Sequence, residues 1–214
     1  MIRVKAIAPL QLDPEEVRRR QARYEAMATD RASITLVNLD GPNAPQRLDS
    51  EEDIRRSEAL VYAEMLRTSA DDFDVLLPDC VLDPAVGDAF VTPVPTRGIL
   101  QLASTALHQQ GARYLGVTRN DAICNEFSQK IRDYGYAEDL QAIATLDVDF
   151  CFIADNRSWA KAMWPAIEQA QAGGLHYVLN GCSAVAIDDP VVGDVRVIDP
   201  TALALESLLT TATI

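Results

Sequence analysis

Val75-Leu76-Leu77-Pro78-Asp79-Cys80 and Tyr177-Val178-Leu179-Asn180-Gly181-Cys182 decide how this chain folds. Each is an apolar run of strand length that ends in a polar or glycine residue and then a cysteine. The two cysteines stand 102 residues apart. An amphipathic stretch precedes each copy, at 57–70 and at 159–172. Beyond each cysteine comes a short insert, a further expected strand, and Pro-Thr opening a helix, at Pro95-Thr96 and at Pro200-Thr201. Cysteine and proline are 15 residues apart in the first copy and 18 in the second. Such an echo implies two similar units, each presenting one cysteine where a strand ends.

The rest of the chain fits that frame. Strands are expected at 2–8, 32–39, 73–78, 89–94, 112–118, 148–153, 175–180 and 195–199. Amphipathic stretches lie between them. Asp13-Pro14-Glu15-Glu16 supplies an N-cap, a proline at the first helical position and acids in the first turn. Ser50-Glu51-Glu52-Asp53 is a variant capping box, and Asp199-Pro200 opens the last helix. Gly111 and Gly173-Gly174 end two others. Strands alternating with helices of this length predict βαβ units. The expected fold class is therefore α/β, with two pseudo-symmetric lobes, each a mostly parallel sheet flanked by helices, and an active site in the cleft between them. Residues 1–94 plus 184–214 are expected to form the first lobe and residues 95–183 the second.

Composition narrows the function classes. The chain has 214 residues, 48% of them hydrophobic and 24% charged, which suits a soluble globular protein with a sizeable core. Its formal net charge of −13 argues against nucleic acid or an anionic membrane as partner, since both demand a basic footprint. No apolar run approaches the ~18 residues of a membrane span. Charges interleave with apolar residues in Met1-Ile2-Arg3-Val4-Lys5-Ala6, a strand pattern rather than a signal-peptide core. A cytoplasmic protein with reduced cysteines is expected, acting on a small molecule and assembling as a homo-oligomer. No two of the four cysteines form a C-x-x-C pair, and His108 and His176 are isolated, so no metal site is expected.

Cys80 and Cys182 are the candidate catalytic residues. Ligands of open α/β sheets bind beyond the carboxyl ends of the strands, which is where both cysteines fall. Asp83-Pro84 after Cys80 looks like an N-cap and a first helical proline, a setting that would favour thiolate at Cys80. Gly181 permits close backbone approach before Cys182, and Ser183 adds a hydroxyl. Two opposed thiols suit inversion of a carbon centre, one taking a proton from one face and the other returning a proton to the opposite face. Cys124, on an expected helix, and Cys151, in an expected strand, are predicted to be structural. Met163-Trp164 is predicted to pack in the core, and His108 to be a solvated or capped side chain.

The surrounding motifs carry a resemblance. Cys80-Val81-Leu82-Asp83-Pro84 resembles the C-F-G-D-P segment of hydantoin and allantoin racemases, and Asn180-Gly181-Cys182-Ser183-Ala184-Val185 resembles their L-G-C-A-G-M. Val94-Pro95-Thr96-Arg97-Gly98-Ile99 is similar to their P-V-V-G-I, Leu115-Gly116-Val117-Thr118 to their G-V-V-T-T strand end, and Gly41-Pro42 with Asp49-Ser50 to their G-P…E-S loop. From about residue 36 onward the chain thus resembles the aspartate/glutamate/hydantoin racemase superfamily. The resemblance implies two pseudo-symmetric lobes, no cofactor, and Cys80 and Cys182 as the acid/base pair. Its departures bear on the substrate. Where the family carries N-P-N-T-S after the first strand, this chain has Ala8-Pro9-Leu10-Gln11. The C-N-T segment of glutamate and aspartate racemases is absent, which makes a free amino acid a less expected substrate. Maleate isomerases keep two cysteines and arylmalonate decarboxylases one, so two cysteines favour a racemase or isomerase. The alternatives are a maleate-type cis-trans isomerase, a related decarboxylase, or a non-catalytic small-molecule binding protein on the same fold.

The expected substrate-binding residues are Gln11, Val81, Asp83, Thr96, Arg97, Thr118, Arg119, Asn120, Gly181 and Ser183. Arg97, Arg119 and Arg157 each follow an expected strand end; the commoner case is a solvated side chain paired with a nearby acid such as Asp121 or Asp155, and the functional alternative is that at least one reaches the cleft and grips an anionic substrate.

Overall fold

The computed structural model describes residues 1–188 and 190–211; Asp189 and residues 212–214, assigned to the first lobe from sequence, lie outside the described residues. Two sheets form. In the first, β1 (Ile2–Ile7) lies between β2 (Ala32–Val37) and β3 (Val75–Pro78), with both pairings parallel. In the second, β4 (Tyr114–Thr118) lies between β5 (Leu140–Thr145) and β6 (Tyr177–Asn180), again in parallel. The orders β2-β1-β3 and β5-β4-β6 are thus equivalent. The second sheet continues through β8 (Val195–Ile198), parallel to β6, to a two-residue antiparallel edge, β7 (Val191–Val192).

Among the described residues six α-helices connect or cover the strands: α1 (Pro14–Ala28), α2 (Glu51–Leu66), α3 (Ile99–Gln109), α4 (Asp121–Asp133), α5 (Asn156–Ala172) and α6 (Pro200–Thr211). Their starts follow the local chemistry. The Asp13 carboxylate accepts the N–H groups of Glu15 and Glu16 ahead of α1. Ser50 and Asp53 form the reciprocal capping box of α2, and Asp199 accepts from the N–H groups of Thr201 and Ala202. After α3 and α5 the chain turns at Gly111 and Gly174, both with positive φ, a backbone state that glycine adopts without strain. The equivalent helices α3 and α6 pack on each other, and α6 also reaches α1. Leu100 and Leu107 of α3 and Leu205 and Leu208 of α6 accordingly share one buried cluster with Val4, Tyr24 and Leu77.

The structure corrects several expectations. Residues 89–94 form no strand; only an isolated parallel bridge joins Leu76 to Thr96. Pro93 and Pro95 withhold the donors a ladder would need, so what survives is a vestige of the β6–β8 pairing in the other half. Residues 148–153 are not a strand either. Asp149 caps a short 3-10 helix, Phe150–Ala154, and Cys151 on it is exposed rather than core. Conversely β5 went unread because its glutamine and two alanines dilute the strand signal that Ile143 and Thr145 carry. No helix begins at Pro84. Residues 191–192 and 195–198, within the stretch 184–214 expected in the first lobe, hydrogen-bond within the second sheet. Met163 is buried as expected, whereas Trp164 is an exposed surface residue that donates to Glu168. Among the described residues, no helix is long and apolar enough to cross a membrane.

Candidate active site

β3 and β6 deliver Cys80 and Cys182 to the same place. Both cysteines are free and buried, and both border one cavity of about 50 Å³. A single water needs ~10–15 Å³ by a comparable measure, so the space suits a compact small molecule. Its walls are mainly apolar: Pro9 and Leu10 after β1, Leu48, Val81, Leu82, Ile123 on α4, and Phe150 and Ile153 from the 3-10 helix. Gly181, Ser183 and Ala184 complete the wall around Cys182, and the charged groups are Arg20, Asp79 and Arg119.

The two cysteine loops are tied together by α1. Arg20 is buried and donates to Glu16 (2.6 Å) on its own helix and to Asp79 (2.9 Å), the residue before Cys80. Tyr24, one turn further on, donates its hydroxyl to the other Asp79 oxygen at 2.7 Å. Burial works against the Arg20 charge, but Asp79 and Glu16 more than offset it and hold the guanidinium protonated. On the neighbouring face, Arg19 donates to the Ala184 carbonyl, and Arg23 to the Ser183 carbonyl and to Asp199. Ser183 then closes the clasp by donating its hydroxyl to the Asp79 carbonyl at 3.1 Å.

The two thiols differ in environment. Burial pushes the Cys80 thiol up to about 12; the Leu82 N–H opposes this, while the charges of Asp83, Asp79 and Cys182 add to it. The helix dipole expected to favour a Cys80 thiolate is missing because Asp83-Pro84 forms a turn, with Asp83 at φ 45°. Burial raises the Cys182 thiol too, against the N–H groups of Ala184 and Val185 and the charges of Arg20 and Arg23, all of which favour thiolate. Gly181 is required beside it. An added Cβ would fall 2.2 Å from the Val117 carbonyl oxygen, which accepts the Gly181 N–H at 2.7 Å.

The other candidate residues separate into those that border the cavity and those that frame it. Val81, Arg119, Gly181 and Ser183 border it. Asp83 does not. It is fully buried and caps α3 from a distance, accepting from the N–H groups of Leu100 (3.0 Å) and Gln101 (2.8 Å) and from the Tyr134 hydroxyl (2.8 Å). Its carboxylate occupies the space where a Gly98 side chain would stand, which accounts for glycine there. Asn120 caps α4 and holds the Leu48 carbonyl at 2.9 Å. Thr118 is buried at the end of β4, its hydroxyl without a partner among the described residues. Thr96 pairs with Thr92, while Arg97 and Arg157 are exposed and do not border this cavity. Gln11 is exposed and lies in an adjoining groove that shares Arg20, Phe150 and Ile153 with the cavity. His108 is a surface side chain facing Asp139 at 2.7 Å.

Sequence reasoning missed Arg20 and Phe150. Arg20 sits in the run Arg18-Arg19-Arg20, which reads as a solvated charged face. Its signal is periodicity: Arg20, Tyr24 and Ala28 form the buried stripe of α1, so a charge stands where an apolar residue belongs. Phe150 was obscured by its placement in an expected strand. Among the described residues, no group of three or more His, Cys, Asp or Glu side chains could hold a metal ion.

Two thiols of pseudo-equivalent origin on one small cavity, carried by paired parallel sheets, define a two-lobed α/β architecture that known families share. The Asp/Glu/Hydantoin racemase family model matches residues 18–208, and the chain belongs to that family. No match is found among curated protein sequences. Among solved structures, an allantoin racemase from Pseudomonas fluorescens superposes with a TM-score of 0.83 at 14% identity, over 99% of this chain and 91% of that one. An allantoin racemase from Klebsiella pneumoniae gives a TM-score of 0.80 at 16% identity, over 100% and 88%. A maleate isomerase from Pseudomonas putida S16 gives 0.66 at 15% identity, over 100% and 93%. At these identities the likeness establishes the α/β fold with two mostly parallel sheets flanked by helices.

Proposed function

We propose that the protein is a cofactor-independent racemase or isomerase that uses Cys80 and Cys182 as an acid/base pair on a small carbon acid next to a carbonyl, of the hydantoin, allantoin or amino-acid type. The observation that carries this reading is the pair of free, buried thiols bordering one cavity. A thiolate removes the proton from carbon, and the electron pair of the broken C–H bond moves onto the adjacent carbonyl. The second thiol returns a proton to the opposite face and is left as the thiolate, so nothing is oxidised or reduced. Cys182 is the base of the pair: burial raises its thiol, but the N–H groups of Ala184 and Val185 and the charges of Arg20 and Arg23 oppose that rise, more support than the Leu82 N–H gives Cys80. Cys80, flanked by Asp79 and Asp83, starts as the acid. The mainly apolar wall excludes water and strengthens the electrostatic contacts inside.

Incubation with hydantoins, allantoin, amino acids and dicarboxylates in deuterated buffer tests the reading. Uptake of one deuterium at carbon with loss of optical rotation is the expected result; Cys80→Ser or Cys182→Ser abolishes the loss of rotation and confines exchange to one enantiomer. Exchange that persists at full rate in both variants would refute it. Isomerisation of a dicarboxylate without exchange would point instead to the maleate-type reaction.

A further inference from the structure

Arg119 leaves β4 directly into the cavity wall, and its side chain is buried. One end of its guanidinium is accounted for: Nη2 donates to the Leu48 carbonyl at 2.8 Å and to Asp49 at 2.5 Å. The Nε–H is buried and has no partner among the described residues. A guanidinium N–H withheld from both water and protein is costly, and native structures rarely leave one so without a ligand to receive it. The neighbouring Thr118 hydroxyl is buried and unpartnered as well, so this strand end presents two polar groups that the protein does not itself satisfy.

The chemistry of the donor favours an anion as that ligand, since a guanidinium N–H binds an ionised acceptor about twice as strongly as a neutral one. Asp49 is shared, since Arg47 also pairs with it at 3.4 Å. Asp149 acts on both guanidiniums as well, so neither carboxylate belongs to Arg119 alone. The other buried arginine on the cavity has nothing to spare, because Arg20 is matched by both Glu16 and Asp79. The Phe150 ring lies against the Arg119 guanidinium, 5.7 Å from its centroid.

We infer that Arg119 is the specificity-determining residue of this cavity and that it selects a substrate carrying a carboxylate. The inference deepens the two-thiol reading, on which it rests for the reaction that follows binding. Arg47 retains Asp49 when the substrate arrives, while Arg119 turns its free donor to the incoming carboxylate.

The test is calorimetric binding of two probes, hydantoin-5-acetate and its primary amide, to the full-length protein. The carboxylate binds ~10–100-fold more tightly than the amide, the worth of a hydrogen bond to a charged group. Arg119→Gln removes that gap by weakening the carboxylate and leaves the amide within about twofold. Asp49→Asn, at a partly exposed position that should fold normally, tightens the carboxylate by about threefold by removing its competitor. Equal binding of the two probes by the unmodified protein overturns the inference, as does no measurable binding of the carboxylate. A gap that survives Arg119→Gln also overturns it, and so does no change on Asp49→Asn. Deuterium exchange separates the two claims. An Arg119-dependent gap without exchange sinks the two-thiol reading and sustains this inference, whereas exchange of both probes with equal KM does the reverse.

Discussion

Gly181→Ala offers the sharpest test of how the fold aims a thiol. The new methyl would lie 2.2 Å from the Val117 carbonyl oxygen and 3.1 Å from the Thr118 methyl. Carbon–oxygen contacts settle near ~3.5 Å, so the loop carrying Cys182 must lift from β4 by about 1 Å. The Gly181 N–H bond to that same oxygen, 2.7 Å long, cannot survive the move. Losing it costs about 1 kcal/mol, and crowding a packed site adds about 1–3 kcal/mol, for a destabilisation of roughly 2–4 kcal/mol. A base displaced by about 1 Å loses about a hundredfold in rate. Urea denaturation reads the first quantity, and kcat on whichever substrate supports exchange reads the second. A variant within about 0.5 kcal/mol of the parent, the scale of an ordinary surface change, and turning over normally would refute the claim that this contact sets the position of Cys182.

Three further outcomes are expected. Asp79→Asn leaves Arg20 buried with only Glu16 and weakens the Tyr24 hydroxyl bond, so urea unfolding should show a loss of about 3 kcal/mol; a loss below 1 kcal/mol contradicts the role given to the clasp. Cys80→Ser and Cys182→Ser should each abolish racemisation while keeping one-sided exchange from one enantiomer, whereas Cys124→Ser and Cys151→Ser should leave turnover unchanged, as polarimetry and deuterium NMR would show. Asp83, raised by burial to about 6, binds its proton more tightly folded than unfolded, where a carboxyl titrates near ~3.9. Its stabilising protonation is therefore complete below ~3.9 and is lost as pH rises through about 6, so the stability gap between the parent and Asp83→Asn should narrow from pH 4 to pH 7; a gap that widens would show the opposite sign.

Local chemistry fixed much of this molecule in advance. The apolar runs ending at Pro78 and Asn180 had to be buried strands, and the caps at Asp13, Ser50 and Asp199 start helices wherever the chain is placed. The cysteine echo followed from that spacing, and the family likeness followed from short motifs around it. Where local signals were ambiguous, tertiary context decided. An apolar run at 148–153 serves equally as strand or helical turn, and Asp149 capping Cys151 settled it. The alanine-rich β5 is a strand because β4 offers it an edge. Asp83 looked like the cap of the helix after it and instead caps α3, reached 17 residues further along the chain. Arg20 was hidden for the same reason. A run of three arginines reads as a solvated face until the first sheet brings Asp79 against α1, and a charge enters a core only where folding supplies its counter-charge. The identity of the two thiols was written in the sequence; which of them ionises first depends on arginines, carboxylates and N–H groups that only the folded chain assembles around them.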